Sequence, residues 1–296
     1  MTTHIYHIAE LYFTLTIPSY LDVDELLPNM RSFRVEEGGD EPIFQAQDAE
    51  IMAVKSEALS NPLEESVNDM GCVKVAECGD EYLVSVSYFN NDIIHYMLLS
   101  KDFSNVSLQM QWQDRAVGHS LNSLLRIAFA QAVIFNGGVS IHGSTVMLDG
   151  GAYLFLGASG TGKSTHSSLW RQTFDGCELL NDDNPTIRIV GDSVKIYGTP
   201  WSGKTPCYKN QSCRLVGVVR LQQAPENIYQ PLQGIEAFVA LLPGCMALRH
   251  CKKLYDQACD NLFKISERTR VGRLKCLPNQ DAARLCYESL NNNINN

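Results

Sequence analysis

The sequence predicts a mixed chain, α+β to α/β, in which a smaller, mainly β N-terminal domain (1–115) precedes a phosphate-loop domain (116–296). Three observations predict it. Apolar residues alternate with polar ones through much of 1–115, the period of half-buried strands. From Ala116 the apolar spacing becomes helical. Further on, a glycine-rich run stands between a short apolar strand and a helix. The charge shifts at the same boundary: 1–115 holds six Lys and Arg against twenty Asp and Glu, whereas 116–296 holds eighteen against thirteen.

Composition bounds the function. Of 296 residues, 45% are hydrophobic and 19% charged, the balance of a globular chain with a sizeable core rather than a disordered one. A net charge of -9 argues against non-specific nucleic-acid binding, while the mildly basic second part suits polyanionic phosphates. The start, MTTHIYHIAELYFTLTIPSY, lacks a basic n-region and an unbroken apolar core, so no signal peptide is expected. The most apolar stretch, 124–134, is interrupted by Arg126 and Gln131 and is too short to span a bilayer. The ten cysteines are scattered. Cys72/Cys78, Cys207/Cys213 and Cys245/Cys251 each have five residues between them, wider than usual zinc-ligand spacing. Reduced thiols in a cytoplasmic protein are the expectation.

Along the chain, Leu11, Phe13, Leu15 and Ile17 alternate as one face of a strand. The runs 82–88 and 93–99, split by Asn90-Asn91-Asp92, read as a hairpin. Val117, Leu121, Leu124, Leu125, Ala128, Phe129 and Ala132 fall on one helical face that Gly137-Gly138 closes. A strand over 139–148, a turn at 149–151 and a strand over 152–156 follow; the loop is 157–162 and the next helix 163–173. A short strand over 178–180 precedes a hairpin of 186–190 with 193–197 across Gly191-Asp192. Beyond Ala224-Pro225, 235–242 and 248–263 look helical, and 281–290 reads as a closing amphipathic helix with Ala282, Leu285, Cys286 and Leu290 on one side.

The run LGASGTGKST carries the chemistry. Gly157 to Ser164 fits G-x-x-x-x-G-K-[ST] at every required position, with a strand leading in and a helix leading out. Glycines let successive backbone N–H groups turn inward around a phosphate without Cβ clashes, and the helix adds its positive end. Gly157, Ser159, Gly160, Thr161, Gly162, Lys163, Ser164 and Thr165 are therefore the candidate nucleotide-binding residues. The Lys163 ammonium can reach the β- and γ-phosphates, and the Ser164 hydroxyl can join Mg²⁺.

Asp182 and Asp183 follow Lys163 by 19 and 20 residues, at the end of an apolar strand. One carboxylate there can hold Mg²⁺ while the other accepts a proton from an attacking hydroxyl. The alternative is an Asx turn that Asn184-Pro185 encourages. His142, 21 residues before Lys163, is either a structural histidine or a partner that steadies Asp183 and shares its proton. In GTPWSGK, Trp201 caps the core on one reading. On the other, Ser202-Gly203-Lys204 lie near the transferred phosphate, with Lys204 steadying charge and Arg214 and Arg249 as rivals. Arg268, Arg270, Arg273 and Lys275 read as a solvated face, or as a patch for an acidic partner.

Taken in order, Ile141-His142-Gly143, Gly157–Ser164 and Leu180-Asn181-Asp182-Asp183 resemble the bacterial HPr serine kinase/phosphorylase family, whose catalytic domain is related to phosphoenolpyruvate carboxykinase. The resemblance spans about 139–200 and is that of a divergent member: the stretch from Tyr197 to Leu215 has neither the family's metal-assisting glutamate nor its Arg-Gly-Leu-Gly-Ile signature. It implies a phosphate loop on a mixed, largely antiparallel sheet. It implies ATP and Mg²⁺ as cofactors, with Ser164 and Asp182 on the metal, and Asp183, His142 and Lys163 as the catalytic set. The acceptor it implies is a serine hydroxyl of a protein or peptide, on a chain that forms homo-oligomers. The alternatives left open are a small-molecule kinase or carboxykinase-like enzyme on the same scaffold, and a non-catalytic ATP-binding regulator. The N-terminal domain is expected to recognise substrate or partner; no nucleic acid or membrane is expected as a partner.

Overall fold

The computed structural model describes residues 1–39, 41–51, 58–67, 71–88, 92–203 and 205–291. The chain divides into two compact units, Met1–Asn136 and Gly137–Asn296. Both are mixed α+β, each with a large mixed sheet.

The first unit contains the strands β1 (Thr2–Ile8), β2 (Leu11–Ile17), β3 (Arg34–Val35), β4 (Gln45–Asp48), β5 (Glu64–Val67), β6 (Gly71–Cys78), β7 (Glu81–Tyr88), β8 (Ile94–Ser100) and β9 (Asn105–Gln109), with helices α1 (Val23–Leu26) and α2 (Val117–Ala132). The sheet order is β3-β1-β2-β4-β9-β8-β7-β6-β5. β2 buries Leu11, Phe13, Leu15 and Ile17 and half-exposes the residues between them, as its alternation predicts. β7 and β8 pair antiparallel, so the expected hairpin forms, although most of its turn (89–91) lies outside the described residues. All seven apolar residues expected on the inner face of α2 are buried.

That helix belongs with the first unit. The expected boundary at 115/116 therefore moves to 136/137. The change of period marks a change of element and not of domain: Phe129 meets Phe13 at 6.4 Å between ring centroids, and Asn29 Nδ2 donates to Asn122 Oδ1 at 2.8 Å.

The second unit contains β10 (Gly138–Ser140), β11 (Gly143–Leu148), β12 (Gly151–Leu156), α3 (Lys163–Thr173), β13 (Glu178–Asp183), β14 (Thr186–Val190), β15 (Ser193–Tyr197), β16 (Ser212–Gln223), β17 (Ile228–Leu232), α4 (Gly234–Leu241), α5 (Lys252–Arg268), β18 (Arg270–Cys276) and α6 (Gln280–Asn291). Its sheet runs β10-β14-β15-β16-β12-β11-β13, with β18 added on β16 and β17 on β18. The pairs β12/β16 and β16/β18 are parallel; the other pairs are antiparallel. β12 is buried on both faces. Its alternation sends Ala152, Leu154 and Leu156 into a core with residues of α4 and α5, and Tyr153 and Phe155 into a second core with Trp170 of α3 and Cys286 of α6.

Three readings change here. The strand expected over 139–148 is two strands, broken at Ile141-His142. The strand expected to stop at Leu180 runs on through Asp183. The basic cluster 268–275 lies largely in β18, where Val271 and Leu274 are buried and Arg270 and Arg273 are half-buried. Arg270 donates to Leu290 O, and Arg268 donates to Gly191 O at 3.2 Å, so this cluster joins elements rather than forming a free basic face.

Candidate functional site

The phosphate loop follows the apolar β12 and turns the chain into α3. Gly160 and Gly162 have φ of 78° and 102°, a region open to glycine and strained for other residues. Thr161 closes the loop, its N–H and its hydroxyl both donating to Ala158 O, at 3.1 and 2.6 Å. Gly162 is the N-cap of α3, with no side chain capping the helix, so the first-turn amides are left to meet an anion. Lys163 Nζ lies over the loop and donates to Gly157 O at 3.0 Å and Ala158 O at 3.4 Å. Burial pulls its pKa below the ordinary lysine range, opposed by the negative charges of Asp183 and Asp182.

Next to the loop, the two consecutive carboxylates of β13 take different partners. Ser164 Oγ donates to Asp182 Oδ1 at 2.9 Å, and Asp182 is buried. A hydroxyl and a carboxylate are the hard oxygen donors that Mg²⁺ prefers. No cluster of three or more His, Cys, Asp or Glu that could hold a metal exists among the described residues. The donor set therefore fits an ion completed by phosphate oxygens and water, not a protein-only cage.

Asp183 faces the histidine. Between the end of β10 and the start of β11, His142 N–H donates to Gly244 O at 2.7 Å. Its Nδ1 lies 2.9 Å from Asp183 Oδ1, and Asn184 Nδ2 donates to the other carboxylate oxygen. The imidazole is 44% and the carboxylate 26% exposed, so a substrate can reach both. Gly143 must be small because a Cβ there would sit 2.6 Å from Leu154 Cδ1 and 3.0 Å from Phe155 O. This close approach lets β11 pack against β12 with His142 at its head.

The fully buried Asn181 was not singled out by sequence reasoning, yet it ties the site together. Its Oδ1 accepts from Asp183 N–H (3.2 Å) and Asn184 N–H (2.9 Å). Its Nδ2 donates to Thr199 O, Thr199 Oγ1 and Trp201 O at 3.1–3.2 Å. Gly203 N–H donates to Asp182 O at 2.6 Å, and Ser202 bridges Asp183. The 199–203 segment thus runs beside the acid pair, while the Trp201 side chain is buried as a core cap. An asparagine directly after Leu179-Leu180 in a strand was the available signal, since a buried amide needs several partners.

Lys204 lies outside the described residues. Arg214 is exposed and pairs with Gly151, at the end of β12 remote from the loop, so it is not placed to serve the phosphate. Arg249 is exposed on the segment before α5.

His166 also escaped sequence reasoning. It is buried on α3 with its ring edge against Phe155, centroids 4.7 Å apart, and Trp170 Nε1 donates to its Nε2 at 3.0 Å. Burial pulls its pKa down to about 4, so the ring is neutral at pH 7. With Nε2 accepting, the proton sits on Nδ1, and Nδ1 has no hydrogen-bond partner among the described residues.

No protein-family model matches the chain, and no curated protein does. Among solved structures, the chain is similar to the Hpr(Ser) kinase/phosphatase from Coxiella burnetii at 14% identity and a TM-score of 0.28, over 52% of this chain and 88% of that one. A likeness of that size leaves function to be argued from the site. No helix among the described residues is long and apolar enough to cross a membrane.

Proposed function

We propose that the chain is an ATP- and Mg²⁺-dependent kinase that transfers the γ-phosphoryl group to a serine hydroxyl of a protein or peptide. One observation carries the reading: of two consecutive carboxylates, Asp182 bonds the hydroxyl of the phosphate-loop serine and Asp183 bonds an exposed imidazole. That divides metal holding from proton acceptance within one short strand end. The order His142-Gly143, phosphate loop, Asp182-Asp183 adds the resemblance to the HPr serine kinase/phosphorylase family.

The loop amides and the Lys163 ammonium hold the β- and γ-phosphates and offset their charge. Ser164 and Asp182 would hold Mg²⁺, which neutralises phosphate charge when bound. Asp183 takes the proton of the seryl hydroxyl as the new O–P bond forms and the bond from the γ-phosphorus to the β-bridging oxygen breaks, releasing ADP. The His142 Nδ1–H steadies the carboxylate in the orientation its task requires. Little covalent chemistry is asked of the protein; positioning and charge stabilisation supply the rate.

The test is transfer from γ-labelled ATP with Mg²⁺ to the soluble proteins of a cell extract, by the native chain and by Asp183→Asn. Label on protein serine with the native chain, absent with the variant, supports the reading. Label only in small molecules would make this a small-molecule kinase. ATP bound without any labelled acceptor would make it a non-catalytic regulator.

A further inference from the structure

Phosphoryl transfer with Asp183 as base needs a hydroxyl beside that carboxylate, and the chain carries one of its own. An isolated antiparallel bridge pairs Asp183 with Ser202, and next to it Gly203 N–H donates to Asp182 O at 2.6 Å. That flanking bond makes Asp183 and Ser202 a non-hydrogen-bonded pair, the closer of the two kinds in an antiparallel ladder. The side chains of such a pair leave the same face, with Cβ atoms about 4.5–5.5 Å apart. Gly203 permits the approach, since a Cβ there would sit 2.8 Å from Asp182 O.

The Ser202 hydroxyl can react where its neighbour cannot. Ser202 is half-exposed, and its Oγ donates to Thr205 O, three residues on, at 2.6 Å. Rotation about χ1 moves Oγ among staggered positions, so this local bond can be exchanged for one to the Asp183 carboxylate. Thr199, the other hydroxyl of the segment beside the acid pair, is fully buried and donates to Asn184 O at 2.8 Å. It is committed to the fold and closed to a reacting phosphate.

We propose that Ser202 is a phosphorylation site served by its own chain. Ser202 Oγ attacks the γ-phosphorus and its proton passes to the Asp183 carboxylate. The Oγ–P bond forms as the bond from the γ-phosphorus to the β-bridging oxygen breaks, and ADP leaves. Asp183, 26% exposed, then gives the proton to water. The inference rests on the kinase reading and names one acceptor for it. Acceptor and base belong to one chain, so the step is unimolecular once ATP is bound and its rate per chain is independent of chain concentration.

The test incubates the purified native chain with γ-labelled ATP and Mg²⁺ and no other protein, and maps the label by mass spectrometry of its peptides. Phosphoserine at Ser202, formed at one rate per chain across a dilution series, is expected. Ser202→Ala still binds ATP by calorimetry and loses the label from that peptide. Ser202→Thr restores a hydroxyl and carries the label as phosphothreonine, which a merely structural role for Ser202 would not give. Label only elsewhere on the chain, or a rate that rises with chain concentration, overturns the assignment. An unlabelled chain that nevertheless labels the proteins of a cell extract overturns it too, while the kinase reading stands. A chain that binds ATP and labels neither itself nor the extract overturns both.

Discussion

His142 Nδ1 stands 2.9 Å from Asp183 Oδ1 at the point where two chain runs change sheet partners. On one side of the break Gly143 pairs with Asp183, and on the other Ser140 pairs with Thr186. Between them Ile141 N–H still donates to Pro185 O at 3.1 Å, while the His142 N–H turns away to Gly244 O, so the histidine at the break faces the carboxylate. Asp183→Asn keeps the shape and the bond to Asn184 while removing the proton acceptor. Turnover is expected to fall by about 10²–10⁴-fold with ATP affinity retained, as read by steady-state kinetics beside calorimetry. His142→Gln, which removes only the orienting group, costs about 10- to 100-fold. Equal turnover in native chain and Asp183→Asn would remove Asp183 from the chemistry.

The contact between Ser164 and Asp182 makes a separate claim about the metal. Ser164→Ala and Asp182→Asn each remove one hard oxygen ligand and leave the loop amides intact. The Mg²⁺ concentration for half-maximal activity is expected to rise about 10- to 100-fold in each. Chelation of Mg²⁺ abolishes transfer by the native chain. A Mg²⁺ titration of Ser164→Ala that overlays the native curve would mean the hydroxyl never reaches the ion.

Asn181 predicts a stability effect with a functional consequence. Asn181→Leu preserves volume but removes the buried amide that bonds the carbonyls of Thr199 and Trp201 and the N–H groups of Asp183 and Asn184, the Trp201 carbonyl keeping the Thr199 hydroxyl at 3.3 Å. Buried unsatisfied groups cost about 1–3 kcal/mol each before relaxation, and water entry at the site edge reduces the sum. A loss of about 3 kcal/mol in urea unfolding is expected. A loss below about 0.5 kcal/mol, the size of an ordinary surface substitution, would show that the amide holds nothing in place.

Much of this site is readable in the residues because backbone geometry and charge chemistry restrict their types. A φ of 102° at Gly162 calls for glycine, and a hydroxyl paired with a carboxylate beside a phosphate loop suits Mg²⁺. What escapes is set by partners distant in sequence. The run 139–148 has no proline and no Asp, Glu, Lys or Arg to interrupt a strand, and the break at Ile141-His142 comes from Gly244 O, about a hundred residues later. β18 hides among Arg270, Arg273 and Lys275, because hydrogen bonds to Leu290 O and Gln230 Oε1 let arginines stand in a strand that local pattern reads as surface. The helix Val117–Ala132 shows its apolar face plainly, but a face does not say which core receives it. Asn181 and His166 look like isolated polar residues until the partners of each appear.

The buried imidazole of His166 gives a pH test independent of activity. Unfolded, it titrates near 6.5; folded, burial holds its pKa at about 4. Between those values the unfolded chain carries one more proton than the folded one, so stability falls as pH drops from about 6.5 towards 4. The slope from this residue is about 1.4 kcal/mol per pH unit, flattening below the folded pKa. His166→Phe cannot take up that proton. It loses the bond from Trp170 Nε1 and so starts less stable at pH 7, but its loss between pH 6.5 and 4 is shallower by about one proton. Urea midpoints at half-unit intervals of pH measure both slopes, and the comparison cancels the carboxylates that titrate in either chain. Parallel slopes would mean that the native ring takes up its proton as readily folded as unfolded, and that Nδ1 already has water for company.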